Sequence, residues 1–197
     1  MALTQVAGGM LAGSITSSQI SSVAGSTITG SQSIPKSTLP AGTILQIVST
    51  TKVDTFSMTG TTFTDVTGLS ASITPLFSTS KLMISIMGSG AASGIAGMRV
   101  TDASGTIISP SGTAYQSNYY SSHLQIAYNA TDGNQFTGFC CQFIETSAIG
   151  TTSSVTRKTQ VRGESAGTTV AINRGTSPSN SQYDSPVTTI TIMEIAA

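Results

Sequence analysis

The stretch Lys81–Met87 (KLMISIM) decides the fold. Leu82, Ile84 and Ile86 fall on every second position, so a strand places all three on one face and Met83, Ser85 and Met87 on the other. The same kind of signal recurs in both directions, punctuated by Gly, Pro, Asn or Asp. Upstream lie Thr43–Thr51 (TILQIVSTT), Lys52–Met58, Thr62–Leu69 (TFTDVTGL) and the short Ser72–Ile73, which stops at Pro75. Downstream, Ile95–Thr101 and Thr106–Ile108 flank a turn expected at Asp102-Ala103-Ser104-Gly105. His123–Tyr128 (HLQIAY) follows with Leu124, Ile126 and Tyr128 in phase, then Phe136–Thr146 with Phe139, Cys141 and Phe143 in one register. Val155–Arg162, Thr168–Asn173 and Val187–Ile195 (VTTITIMEI) complete the series. No segment between them has helical periodicity. Such a run of short strands joined by polar loops predicts an all-β chain, a β-sandwich of jelly-roll type over residues 40–197.

Composition points the same way. The 197 residues include 32 Ser and 32 Thr, while only 8% are charged, against about 25% in an ordinary soluble domain. Thr favours strands, and Ser and Gly favour turns. A soluble helical protein would need Glu, Lys and Arg on its outer faces, and here they are scarce. Eight basic residues balance eight acidic ones. Without a basic field, nucleic acid is not an expected partner. No apolar run approaches the ~20 residues of a membrane-spanning helix, so membrane insertion is not expected either. Met1–Met10 lacks the basic-then-apolar pattern of a signal peptide, and none is expected. The only cysteines, Cys140 and Cys141, are adjacent and cannot staple distant segments. So weakly charged a monomer would be poorly soluble alone, and assembly would relieve that.

Residues 1–39 differ from the rest. They hold no aromatic residue and one charge, Lys36, and their apolar residues (Ile15, Ile20, Val23, Ile28 and Ile34 among them) stand singly among Ser, Thr and Gly. That is too sparse for a core. Two readings are open: a Ser/Gly-rich linker, or an extended arm for anchoring and oligomerisation whose isolated apolar side chains dock on a neighbouring subunit.

Several phrases in the body carry a family resemblance by their order and spacing. They are Pro40-Ala41-Gly42-Thr43-Ile44-Leu45-Gln46, Phe63-Thr64-Asp65-Val66-Thr67-Gly68-Leu69 and Ile73-Thr74-Pro75 leading to Ser80-Lys81. Later come Gln160-Val161-Arg162, Val170-Ala171-Ile172-Asn173-Arg174 and Thr189-Ile190-Thr191-Ile192-Met193-Glu194-Ile195. The opening Leu3-Thr4-Gln5-Val6 with Gly8-Gly9-Met10-Leu11 belongs to the same set. Together they resemble small tail-fibre-like or appendage proteins of tailed bacteriophages of aquatic bacteria; residues 88–138 do not take part. The resemblance implies a homotrimeric β-sandwich on the outside of a virion, with other phage virion proteins as partners. It implies no catalytic motif and no cofactor.

The candidate chemistry is thin. His123 is the only histidine, so a zinc site or a Ser-His-Asp arrangement would have to use it. The default for His123 is a surface or interface position. Cys140 and Cys141 are expected on opposite faces of a strand as free, buried or half-buried thiols, one of them in the core. A glycan-cleaving depolymerase would need two of the eight carboxylates (Asp54, Asp65, Asp102, Asp132, Glu145, Glu164, Asp184, Glu194) across a cleft. Asp102, Asp132, Glu164 and Asp184 sit beside Gly or Ser, where a turn role is simpler. Arg157, Lys158 and Arg162 form the only basic cluster and are expected at a solvated strand edge. Tyr115, Asn118, Tyr119, Tyr120 and His123 fall in a loop whose composition suits adaptable contact with a host cell-surface glycan or protein. The alternative for that loop is closure of the sandwich end or packing between subunits. No metal or cofactor is expected. The expected function is therefore that of a virion structural protein, either a tail fibre or appendage, or a capsid decoration protein that reinforces the shell.

Overall fold

We describe a computed structural model of the chain over residues 39–110, 123–126, 137–177 and 186–197. The KLMISIM stretch opens β4 (Lys81–Ala92), which lies at the centre of one of two antiparallel sheets. Leu82, Ile84 and Ile86 point into the core and are essentially solvent-free, while Met83 and Ser85 are half-buried and Met87 is exposed. Each fully buried Leu or Ile of this kind contributes about 1.5–3 kcal/mol of hydrophobic stabilisation. On one side β4 pairs with β7 (Thr137–Ile144), from Met83↔Ile144 to Gly90↔Thr137. On its other side two strands lie end to end. β10 (Thr188–Ile195) pairs with Lys81–Met87, and β9 (Thr169–Ile172) pairs with Gly90–Ala92. Beyond them β1 (Ile44–Lys52) pairs with β10, and β2 (Phe56–Thr59) with β9. β9 and β10 are thus two halves of one strand position, interrupted by residues 173–187.

Asn173 forms the joint at that interruption. It is fully buried and adopts φ 60°, a left-handed conformation that Asn tolerates better than most residues. Its backbone N–H donates to Ser89 O, and its Nδ2 donates to Lys52 O and Asp54 O, where β1 gives way to β2. Its Oδ1 accepts from Thr188 Oγ1 at the start of β10. Gly88 of β4 leaves room for Thr188, because a Cβ there would overlap the threonine side chain.

The second sheet has the order β3 (Thr64–Ile73), β8 (Val155–Gly163), β5 (Ala96–Thr101), β6 (Leu124–Ile126). Val66, Leu69, Ala71 and Ile73 of β3, Val161 of β8 and Met98 and Val100 of β5 meet Leu82, Ile84, Ile86, Ile190 and Ile192 of the first sheet. The result is a β-sandwich, as the strand pattern predicts, and the described residues contain no helix. From β2 onward the chain changes sheet at each connection, save the β5–β6 pair and the β9–β10 join.

Four local expectations are corrected. Thr62–Leu69 and Ser72–Ile73 are one strand, because Gly68 (φ 81°) makes a bulge that shifts the register between Asp65 and Ser70. Thr106–Ile108 forms only an isolated bridge, Thr101↔Ile107. Lys52–Met58 is broken at residues 53–55, where the edge passes the Asn173 joint. The basic cluster is not on an edge: β8 lies between β3 and β5, and Arg157 and Arg162 are buried. Hydrophobic pattern cannot distinguish edge from centre here, because β8 carries polar residues on both faces.

Candidate interaction faces

His123 is where the sequence-predicted contact loop meets the described structure; Tyr115, Asn118, Tyr119 and Tyr120 lie outside the described residues. So do Ile15, Ile20, Val23, Ile28 and Ile34 of the expected arm. His123, expected at the surface or at an interface, is half-buried. Its ring stacks on Phe143 with centroids 4.4 Å apart. Nδ1 accepts the Val100 N–H at 3.1 Å, so Nε2 carries the proton and donates to Ile108 O at 2.9 Å. Burial pushes its pKa below 6.5, against the carbonyl of Ile108, which pulls the other way. Both nitrogens are committed to backbone, which suits a structural pin better than a base. The neighbouring cysteines do face opposite ways: Cys141 is half-buried on the core side, and its thiol pKa is raised by burial. Cys140 is exposed rather than buried or half-buried, because it stands on the outward side of β7.

Several of the carboxylates are engaged within the protein. Glu145, just past β7, forms a two-point ion pair with Arg157 of β8, 2.6 Å to Nε and 2.9 Å to Nη2, tying the two sheets together at one end. Glu194 of β10 is fully buried. Burial works against its charge, but the N–H groups of Leu76 and Phe77 and the Gln46 amide outweigh it and hold the pKa below 4.5. Asp102 accepts from the backbone N–H groups of Ser104 and Thr106 and from the Ser104 hydroxyl, so its expected turn role is present. Glu164 is exposed in the bend after β8, and Asp132 and Asp184 lie outside the described residues. Among the described residues, no three His, Cys, Asp or Glu side chains converge as a metal site.

The outward face of the β3–β8–β5 sheet is polar and internally tied. Along one row Gln160 donates to Asp65 Oδ1 at 2.6 Å and accepts from Arg99 Nε at 2.8 Å. Lys158 Nζ takes the other Asp65 oxygen at 2.9 Å. Hydrogen bonds from Gln160 and Lys158 lower the Asp65 pKa below 3.8. Phe63 lies over this face, its ring centre 3.9 Å from the Arg99 guanidinium carbon and 5.7 Å from that of Arg162. Thr61, Thr62, Phe63 and Arg99 line a shallow pocket beside it. Ser72 and Thr156 pair their hydroxyls at 2.8 Å.

The outward face of the β1–β10–β4–β7 sheet is different in kind. Register aligns Ile47, Met193, Met83 and Ile144 in one row across four strands. The next row is Ser49, Thr191, Ser85 and Gln142, and the one after it Thr51, Thr189, Met87 and Cys140. No charge occurs in these three rows, and Lys81 stands only at the end, opposite Ile195. Ile47, Met87 and Ile144 are 57%, 59% and 47% exposed. Sequence reading found the strands but missed this face, since its rows join residues up to about 150 positions apart in the chain.

Compared with known proteins, the chain matches no family model, and no curated protein matches it in sequence.

Proposed function

We propose that this chain is a non-catalytic structural protein at the surface of a tailed-phage particle, of tail-fibre or appendage type. It assembles with copies of itself and with other virion proteins. The observation that carries the reading is the wiring of the sandwich. Taking β1 with β2, and β9 with β10, as single positions, the sheets read β1/β2–β10/β9–β4–β7 and β3–β8–β5–β6. Eight positions with a change of sheet at nearly every connection support a jelly roll, an architecture found in viral capsid and lectin domains. Fold alone does not decide function; the ordered phrases from Pro40 to Ile195 add the phage resemblance. Residues 1–39 then serve as the anchoring arm, and the segment containing Tyr115, Asn118, Tyr119 and Tyr120 as the host contact.

One observation favours the second reading, a capsid decoration protein: the described body from Leu39 onward forms a single sandwich without a repeating shaft. Quantitative mass spectrometry of purified particles separates the two, with tens of copies or fewer expected for a fibre and hundreds for decoration. Absence of the protein from the particles would sink both. Deleting residues 1–39 should leave a folded sandwich that no longer joins the particle, and full incorporation would refute the anchoring role.

A further inference from the structure

We infer that the outward face of the β1–β10–β4–β7 sheet is the seat of a second copy of this chain, packed sheet against sheet. The charge-free rows come first. A face without charge gains nothing from a charged partner and would strip water from that partner's ions without compensation. A second copy presents the same uncharged surface. With a two-fold axis running along the strands between β10 and β4, the apolar row Ile47–Met193–Met83–Ile144 lies on its own equivalent. The hydroxyl row then lies on hydroxyl row, where Ser and Thr can both donate and accept. Thr51 and Thr189 already pair their hydroxyls at 2.8 Å within one copy.

Area sets the strength. Four strands about 4.8 Å apart and roughly eight residues long, at about 3.3 Å each, make a face of roughly 500 Å². The face ends near Ser57, where Arg174, just past β9, donates to the serine hydroxyl. Two copies would bury about 1,000 Å² in all, the lower bound for a specific interface. The pairing is therefore reversible and concentration-dependent, and being two-fold it yields even-numbered species, in contrast to the homotrimer that the phage resemblance implies.

Sedimentation of the full chain over a wide concentration range tests this. Wild type should pass from monomer to an even-numbered assembly. Met83→Lys and Thr191→Lys, which sit in different rows, should each weaken that step by about a hundredfold or more, because each would bury an unpaired ammonium. Ser72→Lys, on the opposite sheet, should leave it unchanged. Thermal melts at low concentration confirm that each variant is folded, and Thr191→Lys decides if Met83→Lys is not. A wild type that stays monomeric, forms a trimer, or pairs equally well with folded Thr191→Lys overturns the proposal. Pairing stands or falls by sedimentation and particle membership by copy number, so the two can fail independently.

Discussion

The two outward faces of this sandwich are built from the same kind of strand and end in opposite surface chemistry. On the β3–β8–β5 side, Asp65, Gln160, Arg99 and Lys158 form a hydrogen-bonded network, and Phe63 covers part of it. On the β1–β10–β4–β7 side, rows of Ile, Met, Ser and Thr stand in register with no charge among them. The difference teaches where a weakly charged protein spends its few ions. Glu145 with Arg157 and Asp65 with Lys158 satisfy one another, at a sheet seam and on one face. The other face is left for contacts that need area and not charge.

The contrast depends on the sheets keeping their relative position, which makes the Glu145–Arg157 pair the place to break it. Glu145→Ala leaves a buried guanidinium without its partner and should cost about 3–5 kcal/mol, read as a lowered denaturant midpoint. A loss under about 1 kcal/mol would mean that the seam is held by apolar packing alone.

The second seam is Glu194, and its effect is tied to pH. Its folded-state pKa lies below the ordinary 4.5, so its stabilisation is complete above that value and is lost as pH falls through the depressed one. Glu194→Gln should cost about 2 kcal/mol near neutrality. It should also flatten the acid limb of a stability–pH curve below about pH 4.5. An unchanged acid limb would assign acid sensitivity to other groups. His123, with its pKa also depressed, contributes with the same sign at higher pH, from about 6.5 downward.

The smallest effect compares one residue type on the two faces. Gln160→Ala removes the link between Asp65 and Arg99 and should cost about 1 kcal/mol. Gln142→Ala, in the hydroxyl row of the other face, should change monomer stability by no more than about 0.5 kcal/mol. Chemical denaturation at low protein concentration measures both. Equal costs would erase the distinction between a tied face and an untied one.

Much of the fold was legible in the residues. The two-residue period of Leu82, Ile84 and Ile86 identified both the strand and its buried side, the register of Phe139, Cys141 and Phe143 did the same, and the run ending at Ile195 was legible as a strand. The turn at Asp102 was equally readable, because an Asp whose side chain accepts from the next few backbone N–H groups is a local device. The candidate faces were not legible. Arg157 looked like a solvated edge residue because nothing near it in the chain reveals that Glu145 returns to meet it from the other sheet. Asn173 offered one faint signal, an Asn closing an apolar run; its left-handed conformation is visible only in the fold.

What the sequence determined by itself is whatever repeats locally: strands, their inward and outward sides, and a chain with few ions to place. Tertiary structure alone decided which strands became neighbours, that β9 and β10 share one position, and that Ile47, Met193, Met83 and Ile144 form a row. The physical reason is that alternation is written within a few residues, whereas strand pairing is a contest among distant segments. Burial and hydrogen bonding of the whole chain settle that contest.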